Sequence, residues 1–223
     1  MGDLSIKQGL TGLVFETGYK VAQEKGLAIV WMSVGNSYFG WESIKKIVSF
    51  VTNNFKKTKF LIPFEPTINI YKALGYDGKK ATTKAGLWSN RLTNHTWRIV
   101  GRNTNLNIVD WKKEIANNPL FWKQLQYLKD LYKDNVSFTQ DADKTTENML
   151  KEKAIWQIDL QKGIKIGVQY ILEELAFLLA SPEIFNIFKT VCINHKRLEI
   201  FEKLVNGAYD WIPKPHNWFL LIK

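Results

Sequence analysis

Residues 28–32, Ala-Ile-Val-Trp-Met, are apolar without interruption, and the run stops at Ser33, after which Gly35, Asn36, Ser37 and Gly40 punctuate the chain. A short apolar run bounded by turn residues predicts a buried strand with Ser33 at its carboxyl end. Residues 42–57 place Ile44, Ile47, Val48, Val51 and Phe55 at helical spacing, and residues 59–64 form a second short apolar run ending at Pro63 and Pro66. Strand, helix and strand in this order predict a right-handed parallel crossover. Residues 106–109 read as a third strand, with Asp110 capping the helical stretch that follows. Helical periodicity then covers residues 119–134, 138–160 and 164–179, with a break at 135–137 and a stop expected before Ser181-Pro182. Residues 189–193 and 218–222 read as late strands. Residues 195–205 read as a helix stopped by Gly207, and the first 25 residues as a strand or turn followed by a short helix. Alternating strands and helices predict one α/β domain over residues 1–223, with a mostly parallel sheet flanked by helices.

Charge changes this picture in one place. The chain carries a formal charge of +10 over 223 residues, and between Asp77 and Asp110 it has no acidic residue. Lys80, Lys84, Arg91, Arg98 and Arg102 recur at intervals that keep them within about 40° of arc on one helix. Ala81, Ala85, Trp88, Leu92 and Ile99 fall on a neighbouring face, suited to packing on the body of the protein. A solvated lysine face usually interleaves glutamates for i,i+4 pairing, and this one has none. Together with Lys79 the stripe is expected to bind a polyanion, with nucleic acid favoured over a plain basic surface.

Cysteine and histidine usage narrows the chemistry. Cys192 is the only cysteine, which leaves no disulfide within the chain, and His95, His195 and His216 are too scattered for a sequence-readable metal motif. No metal and no cofactor are expected. No apolar run has membrane-span length, and Met-Gly-Asp-Leu-Ser-Ile does not begin a signal peptide, so the expected location is the cytoplasm and the expected state a monomer.

Two sets of residues carry candidate chemistry. A serine at the carboxyl edge of a parallel strand lies where open α/β sheets bind ligands, although Gly-Asn-Ser is also ordinary turn chemistry. Tyr170 and Glu174, four apart on a helix with Ile171, Leu175 and Phe177 around them, could hold an ammonium group or act as a base, or could be a surface pair. Met32-Ser33-Val34-Gly35 keeps half of a hydrolase nucleophile elbow, but Trp31 replaces its first glycine, which strains a serine-esterase reading. The two ATP-handling signatures of aminoacyl-tRNA synthetases, His-x-Gly-His and Lys-Met-Ser-Lys-Ser, are missing.

In this order the features resemble the tRNA-dependent cyclodipeptide synthases. The resemblance lies in Ser33-Val34-Gly35-Asn36-Ser37-Tyr38-Phe39, in Pro63-Phe64-Glu65-Pro66 with Tyr71-Lys72-Ala73-Leu74-Gly75-Tyr76, and in Tyr170-Ile171-Leu172-Glu173-Glu174 followed by Ser181-Pro182. It spans about residues 27–206. It implies a Rossmann-like domain similar to the catalytic domain of class I tyrosyl- and tryptophanyl-tRNA synthetases, without ATP chemistry. It further implies that two aminoacyl-tRNAs are substrates and that Ser33, rather than Ser37, carries an aminoacyl-enzyme and then a dipeptidyl-enzyme that cyclises to a diketopiperazine.

By the same resemblance Asn36 and nearby backbone N–H groups would stabilise the oxyanion. Glu174 and Tyr170 would hold the ammonium group, Ile29, Trp31, Gly35, Phe121 and Phe177 would shape the side-chain pocket, and Lys79 to Arg102 would grip tRNA phosphates. Three departures stand out. Trp31 stands where the family usually has glycine, Phe121 where a tyrosine is common, and Ile193-Asn194 before His195 where a strand usually ends in tyrosine. Asn194 or His195 would then replace that tyrosine in cyclisation. A non-catalytic tRNA- or RNA-binding domain of the same fold is the alternative. The identity of the two amino acids is not readable, beyond the thought that Trp31 could stack on histidine or an aromatic side chain.

Overall fold

The computed structural model describes residues 6–7, 25–154, 157–186, 190–194, 199–205, 208–209 and 217–222. Six strands, β1 (Ile6–Lys7), β2 (Lys25–Trp31), β3 (Phe55–Leu61), β4 (Leu106–Val109), β5 (Thr190–Asn194) and β6 (Asn217–Ile222), form one sheet in the order β1-β6-β5-β2-β3-β4. Every neighbouring pair from β6 to β4 is parallel, and β1 joins the edge antiparallel to β6. The mostly parallel α/β architecture expected from the pattern is thus present. The expected helix within the first 25 residues, Lys189, His195 and Gly207 lie outside the described residues.

Seven helices connect the strands among the described residues: α1 (Trp41–Asn54), α2 (Phe64–Ala73), α3 (Gly78–Val100), α4 (Pro119–Asp134), α5 (Val136–Lys153), α6 (Leu160–Ile184) and α7 (Glu199–Val205), with a π-helical turn at Trp111–Ala116. The first crossover, β2-α1-β3, is present with a shifted boundary. Phe55 continues the helical spacing of Ile47 and Val51, yet it is already extended (φ −128, ψ 146) and opens β3. Lys56 and Lys57 are exposed while Thr58 and Phe60 are buried, a register a helix could not give. Residues 64–73 are α2 rather than the end of a strand; Pro66 falls in its first turn, where a missing N–H costs nothing.

Helix α6 is apolar on nearly all sides and buried over most of its length, as a central helix should be. It packs against α2, α4 and α5. Gly163 allows the closest approach, since a Cβ there would stand 2.9 Å from the Ala73 carbonyl oxygen. The helix does not stop before Ser181-Pro182 but runs to Ile184. Pro182 leaves the Leu178 carbonyl without its helical donor, and the Ser181 hydroxyl donates to that oxygen at 3.2 Å, which offsets the loss. The helix expected over residues 138–160 instead ends at Lys153.

Candidate active site

Strand parity aims the site. Leu27, Ile29 and Trp31 join the core built around α6, whereas Ala28, Val30 and Met32 join the core under α1 and α3, as a two-residue period requires. Both faces of β2 are therefore buried, and continuing the alternation by one step puts Ser33 on the α6 side. There the chain turns: the Asn36 N–H donates to the Ser33 carbonyl at 3.3 Å, and Gly35 has φ +76. A turn with positive φ at its third residue asks for glycine, and a Cβ on Gly35 would also stand 3.0 Å from the Tyr71 hydroxyl. Asn36 Oδ1 accepts the Tyr38 N–H at 2.9 Å, which fixes the side chain beside the turn.

Facing Ser33 are Tyr170 and Glu174, both buried on α6. Ser33 shares its cavity with both residues and acts to lower the Tyr170 hydroxyl against its other neighbours, and that hydroxyl donates to Glu174 Oε1. Burial pushes Glu174 up to about 7, against the pull of the Tyr170 hydrogen bond and the Lys153 ammonium. The Tyr170 hydroxyl is held well above its ordinary value by burial and then by the Glu174 charge. Near neutral pH this relay ends in a carboxylate that can take or release a proton. Lys153, the last residue of α5, donates to the Val34 carbonyl at 3.5 Å and supplies positive charge beside the pair. Helical spacing could not reveal it, because it acts from the end of its helix.

The raised Glu174 value has a stability consequence. Between its ordinary 4.5 and about 7 the folded chain keeps a proton that the unfolded chain has lost. Stability therefore falls as pH rises through that window, by about 3 kcal/mol in full. Glu174→Gln, which can still accept the Tyr170 hydrogen bond, is expected to match the parent near pH 4.5 and exceed it in stability at pH 8. Urea unfolding at both pH values checks this, and a gap between the two proteins that does not change with pH contradicts it.

Ser33 opens on a cavity of about 660 Å³ whose walls include Trp31, Asn36, Met149, Tyr170, Glu174 and Asn194. A second hollow of about 240 Å³ also touches Ser33 and is lined by Gly35, Tyr71, Lys153 and Tyr170. Asn194, buried at the end of β5, thus shares the Ser33 cavity, while His195 lies outside the described residues. Ile29, Phe121 and Phe177 sit in the core and not on either cavity wall. Phe177 backs Trp31, with ring centroids 6.1 Å apart, and Phe121 is one ring further away, 5.6 Å from Trp111.

The basic helix is present as α3, with corrections. It ends at Val100, and Gly101 (φ +61) turns the chain away, so Arg102 lies beyond the helix and off the stripe. Trp88 does not pack inward. The buried face runs through Ala81, Ala85, Ser89, Leu92, Thr96 and Val100, because small residues allow close packing on α2 and leave no room for an indole. Lys79, Lys80, Arg91 and Arg98 are exposed, and Lys84 is half-buried with its ammonium 4.7 Å from the Tyr76 ring centre.

Comparison with known proteins decides the family. The cyclodipeptide synthase family model matches residues 14–223. The chain belongs to the cyclodipeptide synthase family. A cyclo(L-leucyl-L-leucyl) synthase of Staphylococcus haemolyticus (strain JCSC1435) is 21% identical over 206 residues, covering 86% of this chain and 84% of the relative. The fold matches that of a cyclodipeptide synthase from Bacillus thermoamylovorans with a TM-score of 0.83 at 20% identity, covering 94% of both chains. It also matches a Mycobacterium tuberculosis protein whose structure related cyclodipeptide synthetases to type I tRNA synthetases, with a TM-score of 0.75 at 18% identity over 92% of this chain and 88% of the other. Cyclodipeptide synthases are tRNA-dependent aminoacyltransferases, and the likeness to class I synthetases is one of fold. No helix among the described residues is long and apolar enough to cross a membrane.

Proposed function

We propose that this cyclodipeptide synthase joins the aminoacyl groups of two aminoacyl-tRNAs into a diketopiperazine by a ping-pong route on Ser33. The observation that carries the reading is the buried, hydrogen-bonded Tyr170 and Glu174 pair sharing a cavity of about 660 Å³ with Ser33. An aminoacyl-tRNA ester is already activated, so the serine needs positioning and oxyanion donors more than a strong base. Ser33 Oγ attacks the first ester carbonyl, its proton passes by way of Tyr170 and Glu174 to the departing ribose oxygen, and the tRNA leaves as its hydroxyl with Glu174 again a carboxylate. Backbone N–H groups after β2 and the Asn36 amide favour the oxyanion.

Glu174, poised near neutrality, then binds the ammonium of the aminoacyl group on Ser33 and takes its proton. The freed amine attacks the ester carbonyl of the second aminoacyl-tRNA, which releases the second tRNA and leaves a dipeptidyl ester on Ser33. The new terminal amine attacks that ester carbonyl, closing the six-membered ring and returning Ser33. Asn194, or His195 next to it, would steer the last proton transfers. The reaction as written calls for no cofactor or metal. The working unit is one catalytic domain over residues 1–223, acting as a monomer in the cytoplasm.

The experiment is incubation of the protein with mixtures of charged tRNAs and mass spectrometry of the small-molecule fraction. A diketopiperazine supports the reading. RNA affinity with no diketopiperazine and no adduct on Ser33 would instead mark a non-catalytic RNA-binding domain, and turnover of simple esters without tRNA a serine esterase. The exposed cations of α3 are expected to act through phosphates. Reversing charge at Arg91 and Arg98 together should lower kcat/KM for aminoacyl-tRNA by about 10- to 100-fold near 0.1 M salt and flatten the salt dependence, each lost phosphate contact removing roughly one unit of slope. Kinetics at several salt concentrations check this, and an unchanged slope contradicts it.

A further inference from the structure

Packing does not account for the aromatic residues on the basic helix. Six large apolar side chains are clearly exposed among the described residues, and four of them, Trp41, Leu87, Trp88 and Trp97, belong to α1 or α3. A charge-only RNA surface has no use for indoles, since phosphate neutralisation needs lysine and arginine alone. Unpaired nucleotides do use them, because every base offers a face that stacks on an aromatic ring.

Trp88 has the matching surroundings. It lines a groove of about 310 Å³ together with Gly35, Asn36, Ser37, Arg91 and His95. One wall of the groove is thus the turn that follows Ser33, and the other is the cationic helix. The Arg91 guanidinium lies 5.3 Å from the Trp88 ring centre, so the indole carries a cation beside it. Farther along the helix His95 meets the Trp41 ring at 6.0 Å, and the Lys45 ammonium lies 5.3 Å from that ring. Rings and cations therefore lie side by side on this face of α3 and α1, and no acidic residue of α3 interrupts them.

We propose that the groove between the Ser33 turn and α3 holds the unpaired 3′ end of the aminoacyl-tRNA, with one of its bases stacked on Trp88 and an adjacent phosphate on Arg91. The proposal rests on the tRNA reading above and deepens it. The duplex part of the acceptor arm lies on the outer cations, and the single strand is led past Trp88 to bring its terminal ester to Ser33.

The test uses two RNA minihelices with the same duplex, one ending in the unpaired 3′ sequence of tRNA and one blunt, with 2-aminopurine placed in turn at each unpaired position. The parent should bind the overhang form about tenfold more tightly than the blunt form, and 2-aminopurine at one position should be quenched by stacking. Trp88→Leu keeps apolar bulk but no aromatic face, and it should lose both the preference and the quenching while binding the blunt form like the parent. Trp88→Phe should retain most of both. Circular dichroism checks that both variants are folded, as expected for an exposed position. Retention of preference and quenching in Trp88→Leu overturns the proposal, and so does a parent that binds both forms equally. A parent that binds neither RNA overturns the tRNA reading itself, so the two failures are distinguishable.

Discussion

Replacing Ser33 with alanine is expected to abolish diketopiperazine formation, by at least about 10³-fold, because both covalent intermediates need its oxygen. The expected loss falls on chemistry and not on folding. Ser33 is half-buried beyond the end of β2, and the hydrogen bond that Tyr170 donates to Glu174 does not depend on it. The variant should therefore melt within a few degrees of the parent and bind uncharged tRNA with unchanged affinity. A second readout separates the nucleophile from a merely structural serine. When the parent is mixed with a single charged tRNA species and quenched in acid, mass spectrometry should find one aminoacyl group added to the peptide containing Ser33, and none in Ser33→Ala. A folded Ser33→Ala protein that still makes product at the parental rate would falsify the covalent route. Cysteine at the same position should keep part of the activity, since a thiolate can attack the ester but its larger sulfur displaces the reacting carbonyl.

What could be read from the chain divides along physical lines. Ser33 and its strand were legible because a parallel strand buried on both faces is a continuous apolar run, and the turn after it declares itself through Gly35 and Asn36. The Tyr170 and Glu174 pair was legible as an i,i+4 spacing, but its burial came from packing of α6 against α2, α4 and α5. Local periodicity failed where tertiary contacts overrode it. Phe55 fits the helix before it and belongs to the strand after it, and Pro182 is carried inside a helix because Ser181 satisfies the carbonyl that the proline leaves. Trp88 is hydrophobic and its spacing points it inward, yet the buried face of α3 runs through the smaller Ala81, Ala85 and Ser89, and the indole lies off it. Lys153 reaches the site from the end of an element distant in sequence, which no spacing rule records, and Asn194 was legible only through the family resemblance.

The second large effect is expected at Trp31. Its ring stands edge-on to Phe201 at 5.0 Å and tilted against Phe177 at 6.1 Å, with 4% of its surface exposed. It borders the Ser33 cavity two residues before the nucleophile, so the indole forms a wall where a smaller residue would leave a pocket. This revises the thought that Trp31 offers an open face to a flat substrate side chain, because two rings already pack against it. The first aminoacyl group should accordingly carry a small side chain or direct a larger one into the main cavity. Trp31→Ala should cost about 3–5 kcal/mol of stability, lowering the melting temperature by roughly 6–20 °C for a chain of this size. The same vacancy should shift the diketopiperazines made from a mixture of charged tRNAs toward those containing leucine, phenylalanine or tyrosine. Trp31→Leu, which removes less volume, should fold more stably and shift the products in the same direction. Identical product profiles from parent, Trp31→Leu and any folded Trp31→Ala would show that the wall does not select the substrate, and the origin of selection would then lie with the second hollow beside Gly35 and Tyr71.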